Sequence, residues 1–238
     1  MSTINGPRIS VITVCYNAAD KIDITIASVL GQTYRDIEYI IVDGASTDGT
    51  LEKVKKYDRE LIWSSEPDTG VYDAMNKGVE RATGDWIYFL GAGDIMLDVL
   101  NELVPAFSDP RCIYYGDVFR HDIHRRYDGR FSAFKLAVTN ICHQAIFYPR
   151  AVFEKYKYNL DYPAMADHHL NMLCFGDKDF KLHYLPALIA EYEGNGFSAN
   201  NADSSFLAHK LKLVKHNFPL PVYWYVRLRN MFGKVFKH

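Results

Sequence analysis

An aspartate delivered to the end of an apolar strand has the most chemistry to offer in this chain. Trp86-Ile-Tyr-Phe-Leu90 is aromatic and aliphatic throughout, and Gly91-Ala-Gly-Asp94 follows it. In an open α/β sheet, ligands sit outside the carboxyl ends of the strands, so Asp94 can hold a metal ion or a polar ligand there. Gly91 and Gly93 lack side chains and let backbone approach such a ligand closely. Asp73 and Asn76 are three apart in a helical stretch and share a face. Lys77, one position round, points to phosphate or simply to solvent. In Ala166-Asp-His-His-Leu170, Asp167 stands near a helix start, where the helix dipole favours a carboxylate. An ordinary aspartate is ionised at neutral pH, so Asp167 can also accept a proton. His168 and His169 beside it have a metal-site composition. Neighbours on a helix point apart, however, and satisfied polar histidines are the expectation.

These residues need a scaffold, and the first hundred residues read as one. Residues 9–16 are a β-branched, almost wholly apolar strand; 39–42, 61–64 and 86–90 are three more. Between them run helices. The first is capped by Asp20, ends near Gln32 and turns Ile22, Ile26, Val29 and Leu30 to one side. The second has Leu51 and Val54 inward. The third, 72–81, is stopped by Gly84. Strand and helix alternating in this way imply parallel pairing and right-handed crossovers. After Asp94 the pattern loosens. Residues 111–119 read as a strand, 121–134 as loop or hairpin, 145–148 as a short apolar strand and 166–174 as a helix. Residues 180–192 read as an extended segment broken by Pro186. Gly194-Asn-Gly-Phe-Ser198 reads as a flexible turn, and 204–216 and 222–236 as two closing helices.

The 238 residues suffice for one large α/β domain, and 48% hydrophobic residues can fill its core. A formal net charge of −2 excludes the basic excess of a nucleic-acid binder. Cys15, Cys112, Cys142 and Cys174 have no C-x-x-C spacing and read as free thiols in a reducing cytosol. There is no secretory-signal pattern and no apolar run long enough to span a bilayer, so a cytoplasmic protein is expected. The charge is uneven. The last dozen residues are basic, and from Pro219 onward aromatics and aliphatics alternate with Arg227, Arg229, Lys234 and Lys237. That pattern suits an interfacial helix on the inner face of an anionic membrane. It suits a core-docking helix with a basic outer face equally.

Several motifs in order carry a resemblance. Thr13-Val-Cys-Tyr-Asn17 ends the first strand, and Val42-Asp-Gly-Ala-Ser-Thr-Asp-Gly-Thr50 ends the second. Gly70-Val-Tyr-Asp-Ala-Met-Asn-Lys-Gly78 and Gly91-Ala-Gly-Asp94 follow. Together they resemble the family 2 glycosyltransferases of bacterial capsule, exopolysaccharide and lipopolysaccharide synthesis. The resemblance implies a GT-A fold: an α/β, Rossmann-like nucleotide-diphospho-sugar transferase with a mostly parallel central sheet flanked by helices. It implies one domain, with residues 1–98 for the nucleotide sugar, 99–217 for acceptor and catalytic base, and 218–238 as a basic aromatic helix. By the same resemblance Thr13, Tyr16 and Asn17 line the nucleoside pocket and Asp43 accepts a hydrogen bond from the base. Asp73, Asn76, Gly91 and Gly93 face the sugar nucleotide, and Asp94 binds Mn²⁺ or Mg²⁺. Asp167 is the general base of an inverting, hexosyltransferase-type reaction. Ile141-Cys-His-Gln-Ala-Ile-Phe147 puts His143 and Gln144 against the acceptor or donor sugar, and Gly194–Ser198 becomes a loop closing over the site. The acceptor is a glycan or a lipid-linked glycan.

The chain also departs from the family. Members usually show D-x-D after the fourth strand, and here only Asp94 remains of it. That leaves metal affinity open and keeps a rival alive: a non-catalytic nucleotide-sugar- or glycan-binding protein. Asp43 and Ser46-Thr-Asp48 could also simply begin a turn and cap a helix. A dinucleotide fingerprint is excluded, since Met96 stands where its third glycine belongs.

Overall fold

The computed structural model describes residues 6–127, 129–194 and 203–235, with the backbone alone for 233–235. The Gly194–Ser198 turn, apart from Gly194, lies outside the described residues, as do 236–238.

The first half forms as its apolar runs dictate. Strands β1 (Ile9–Cys15), β2 (Ile37–Asp43), β3 (Ile62–Ser65) and β4 (Trp86–Gly91) alternate with helices α1 (Ile22–Leu30), α2 (Thr50–Val54) and α3 (Val71–Arg81). They pair in parallel in the order β3-β2-β1-β4. The first crossovers run one way from β1 and the third returns to its other side, so a ligand crevice opens at the carboxyl ends of β1 and β4. Helix α3 packs close on the sheet because Gly78 has no side chain. A Cβ there would meet Ile12 Cγ2 at 2.5 Å and Val42 Cγ2 at 3.4 Å.

The second half makes the sheet mixed, where a mostly parallel one was expected. After β5 (Ile95–Met96) and α4 (Leu100–Leu103) come β6 (Cys112–Arg120), β7 (Arg125–Tyr127), α5 (Ala133–Leu136), β8 (Ile146–Pro149), α6 (Arg150–Lys155), α7 (Ala166–Gly176) and β9 (Lys181–Tyr192). Helices α8 (Ser204–Asn217) and α9 (Leu220–Val235) close the chain. Among the described residues the sheet has nine strands, β3-β2-β1-β4-β8-β6-β9-β5, with β7 as a hairpin on β6. Strand β8 runs antiparallel to both β4 and β6, while β9 runs parallel to β6. Because β8 is antiparallel to β4, the residues entering β8 lie at the carboxyl end of β4. The residues leaving β9 reach the same end, since β9 pairs antiparallel with β5 through Ile95↔Glu191.

Three local expectations are corrected. Asp20 does not cap α1. Lys21 and Ile22 both donate to Ala18 O in a turn, and Lys21 occupies the cap. Gly84 does not stop α3, which ends at Arg81 with Ala82 already extended. Gly84 instead lets β1 approach: its N–H donates to Ser10 Oγ at 2.8 Å, and a Cβ would lie 2.5 Å from Ser10 N. Pro186 does not break β9. The register shifts on either side of Asp117, a bulge that absorbs the missing proline N–H.

All four cysteines are free, and three are buried. Gly78→Val should push α3 off β1 and cost about 1–3 kcal/mol, the range for overpacking a core. Urea unfolding should show a lower midpoint at unchanged slope; an unchanged midpoint would refute the tight α3–β1 contact.

Candidate active site

The crevice begins with two loops tied together. Asn17 follows β1 with φ +48°. Its N–H donates to Ser46 Oγ at 2.8 Å, and its side-chain oxygen accepts from Thr47 N at 3.0 Å. Asp48 takes the Ala19 N–H and both donors of Thr50. Ser46, Thr47 and Asp48 thus lock the loop after β2 onto the loop after β1. Asp43 ends β2 almost wholly buried. Its Oδ2 accepts from Ser46 N at 3.0 Å and from the Ser65 hydroxyl at 2.6 Å, while Oδ1 faces the Cys15 thiol at 3.7 Å. Next to it Gly44 has no room for a side chain: a Cβ would meet Asp68 Oδ2 at 2.5 Å and the Tyr16 ring at 3.4 Å. Tyr16 itself is 67% exposed, an aromatic face open at the strand end.

Beyond β4 the chain turns so that Asp94 N donates back to Gly91 O at 3.1 Å. Thr25 of α1 fixes that turn, accepting from Gly93 N at 2.8 Å and donating to Asp94 O at 2.9 Å. A Cβ on Gly91 would sit 2.5 Å from Asp94 Oδ2, and Gly93 has φ +104°, which favours glycine. Asp94 is 6% exposed. Its Oδ2 accepts from Gln144 Nε2 at 2.6 Å, and its Oδ1 from Glu193 N at 3.3 Å. Burial pushes its carboxyl up to about 6, against the opposing pull of Gln144 and His143.

Gln144 belongs to a single 3-10 turn, His143–Ala145, that leads into β8. The Cys142 thiol donates to Gln144 Oε1 at 2.8 Å, which orients the amide nitrogen toward Asp94. The same turn sends His143 Nδ1 to within 3.6 Å of Asp167 Oδ2. Asp167 lies in the first turn of α7 and is also nearly buried. Its Oδ1 accepts from the Tyr72 hydroxyl at 2.8 Å. Burial alone would raise its carboxyl, but His143 and then Tyr72 overcome this and hold it below the usual range. A cleft of about 470 Å³ opens here, lined by His143, Gln144 and Asp167 together with Arg120, Phe206 and Lys210. Burial, with Arg229 adding to it, lowers the Lys210 ammonium to about 8.

The structure brings Tyr16, Asn17 and Asp43 together at one end of the crevice, and Gly91, Gly93, Asp94, His143, Gln144 and Asp167 at the other. Other expected residues do not join them. The Thr13 hydroxyl is wholly buried against Tyr39 OH at 3.1 Å, inside the sheet. Asn76 clamps the backbone of Tyr158 from both sides at 3.0 Å. Asp73 caps its own helix turn through Thr69 N, and Lys77 donates to Pro67 O. His168 is the satisfied polar histidine that was expected: it is buried and bound to Leu136 O at 2.7 Å, and its burial lowers it to about 4. Sequence reasoning missed Tyr72, Thr25, Asp68 and the cleft residues Arg120 and Lys210. Tyr72 stood beside Asp73 at the start of the expected helix, with nothing in its spacing to mark it as a partner of Asp167. Arg120 and Lys210 come from distant elements and left no local signal.

A family description, Glycosyl transferase family 2, matches residues 10–175. The chain belongs to this family. A PGL/p-HBAD biosynthesis glycosyltransferase of Mycobacterium bovis is 38% identical over 214 residues, covering 85% of this chain and 83% of that protein. The putative teichuronic acid biosynthesis glycosyltransferase TuaG of Bacillus subtilis is 44% identical over 92 residues, 37% of this chain and 36% of that one. Among solved structures, S. aureus TarS 1–349 in complex with UDP superposes with a TM-score of 0.68 at 16% identity, covering 91% of this chain and 68% of that one. The mannosyltransferase PcManGT from Pyrobaculum calidifontis, in complex with GDP-Man and Mn²⁺, gives 0.65 at 15% identity, covering 99% and 83%. At such identities the likeness is one of fold, and the glycosyltransferase has the expected GT-A architecture with a mixed sheet.

Tyr72→Phe should remove a hydrogen bond to a buried charge and cost about 1.5–3 kcal/mol near neutral pH. The hydroxyl favours ionised Asp167, so the stability that it supplies is present above the ordinary carboxylate range. It is lost as pH falls through the depressed value in the folded state. The gap between variant and parent, read from denaturation at several pH values, should close in acid. A gap independent of pH would place the effect in packing instead.

Proposed function

We propose that the protein is an inverting glycosyltransferase, moving a sugar from a nucleoside diphosphate to a hydroxyl of a glycan or lipid-linked glycan acceptor. The observation that carries this reading is the His143–Gln144 turn, which joins Asp94 at the end of β4 to Asp167 on the wall of the cleft. One carboxylate thus faces where a diphosphate would lie and the other where an acceptor would enter. The nucleoside would stack on Tyr16, with Asp43 reading the base. Residues 1–98 would serve the donor and 99–217 the acceptor. Relatives named for PGL/p-HBAD and teichuronic acid biosynthesis support a cell-surface glycan as product. Neighbours holding UDP and GDP-Man support a nucleotide-sugar donor. In this reading the enzyme works in the cytoplasm with peripheral contact at the inner face of the membrane.

The chain's own groups account for the proton. Asp167 takes it from the acceptor hydroxyl as that oxygen attacks the anomeric carbon, and the bond to the diphosphate oxygen breaks with its electron pair. Displacement from the opposite face inverts the centre. Tyr72 and His143 keep Asp167 ionised and aimed. The donor set suits a divalent cation. Asp94 is a hard oxygen ligand whose burial its own partners do not offset. Among the described residues no cluster of three His, Cys, Asp or Glu could cage a metal. The remaining ligands would be diphosphate and water, as is usual for Mg²⁺. Such an ion supplies charge neutralisation of the departing diphosphate.

Two variants test the assignment. With Mn²⁺ and a panel of UDP- and GDP-sugars, Asp94→Ala should cut slow donor hydrolysis by about 100-fold or more, as for other losses of transition-state charge stabilisation. It should also abolish the metal-dependent part of the melting-temperature rise given by UDP or GDP. Donor turnover that depends on Asp94 excludes the binding-protein reading, which Gly91 and Gly93 would otherwise favour. Asp167→Asn should lower transfer by about 10²–10⁴-fold, the scale of general base catalysis, while nucleotide affinity is kept. Loss of both would make Asp167 a donor ligand.

A further inference from the structure

Helix α9 carries two faces. Val222 and Val226 are buried against the body, and Phe218, just before the helix, stacks on Phe175 at 4.6 Å between ring centroids. Among the described residues nothing covers the opposite side. Leu220, Trp224, Leu228, Met231 and Phe232 are each between 47% and 62% exposed. Their spacing of three and four residues puts them on one stripe of a helix with 3.6 residues per turn. By the same periodicity Arg227 and Arg229 border that stripe on its two sides. Arg227 lies over the Trp224 ring at 5.0 Å. Among the described residues neither arginine makes an ion pair. An apolar stripe of this extent is uncommon on a surface that meets only water.

Charge is segregated to match. Of the 27 Lys and Arg and 29 Asp and Glu in the sequence, seven basic residues and no acidic one lie after Asp203. The first 203 residues therefore hold 20 basic against 29 acidic groups, a net of −9, and the remainder is +7. Self-association through α9 would bring two such positive surfaces together, which repel. No described helix is long and apolar enough to cross a membrane. A helix with an apolar stripe edged by arginines is instead built to lie in the interface of an anionic bilayer.

We infer that α9 seats the protein on an anionic phospholipid surface, its apolar stripe in the headgroup region and its arginines on lipid phosphates. The acidic body stays turned to water. Helix α8, which packs on α9, also supplies Phe206, Leu207 and Lys210 to the cleft, and Leu207 is itself 61% exposed. A wall of the cleft is thus part of the anchored hairpin. Resting on the acceptor reading of that cleft, the consequence is an acceptor whose apolar anchor stays in the same bilayer while its glycan enters beside α8.

The test is co-sedimentation of the full chain with vesicles of phosphatidylcholine alone and of phosphatidylcholine with phosphatidylglycerol. The protein should pellet with the anionic vesicles at least about tenfold more strongly, and salt at several hundred millimolar should release much of it. Trp224→Ser/Leu228→Ser/Phe232→Ser and, separately, Arg227→Glu/Arg229→Glu should each weaken the binding about tenfold or more. Both should keep the parent melting temperature, since all five side chains are exposed; donor hydrolysis should be kept in the serine variant, whose three side chains lie outside the cleft. Equal, weak binding to both vesicles would overturn the inference. So would a dimer in solution that the triple variant dissolves. Vesicle binding needs no turnover, so it can fail while donor hydrolysis succeeds, and the reverse.

Discussion

The hydrogen bond from Gln144 to Asp94 is the contact on which the site depends, because it is where the two halves of the sheet meet. Asp94 ends the parallel half, and Gln144 opens the strand that makes the sheet mixed. An antiparallel neighbour beside β4 is the simplest way to return the chain to that end, since a parallel one would begin at the other. The turn before β8 therefore arrives with its side chains already beside Asp94. Cys142 then sets the amide so that its nitrogen, not its oxygen, faces the carboxylate. Desolvation pushes the Cys142 thiol up and keeps it protonated, and a protonated thiol is a donor.

Much of the first hundred residues was legible because parallel strands covered on both faces must be continuous apolar runs. The four runs stood out, and the helices between them followed from their periodicity. Ends were less legible. The Asp20 cap lost to a turn anchored on Ala18, and the Gly84 stop lost to the close approach of β1, both set by tertiary contacts. Of the site, Asp94, Asp167, His143 and Gln144 were found through motifs. Their mutual contacts were not, since these join residues 24 and 50 apart along the chain. Asn76 shows the opposite failure: its motif suggested a ligand, but its amide matches a backbone N–H and C=O pair and is taken up by them.

Mixed topology also explains why the cleft could not be read in advance. Arg120 ends β6, Lys210 sits in α8, and Asp167 opens α7. They converge because β8 and β6 are antiparallel while β9 runs parallel to β6. Strands β7 and β8, of three and four residues, carry too few alternations to reveal a register, and the shifts around Asp117 interrupt the pairing of β6 with β9.

One turn treats two buried carboxylates differently. Toward Asp94 it presents a neutral amide, which cannot offset the loss of water, and the carboxyl rises to about 6. Toward Asp167 it presents an imidazole, and α3 adds the Tyr72 hydroxyl; together they more than offset burial and the carboxyl falls. Environments that push two acids apart separate their tasks. Both acids are mainly ionised at neutral pH, so the proposed assignment rests on position: Asp167 on the wall of the cleft and Asp94 at the end of β4. The acid left uncompensated is the one for which an added positive charge gains most. On the proposed reading, the order His143–Gln144 along two successive residues ties the carboxylate that takes the proton to the one that faces the diphosphate.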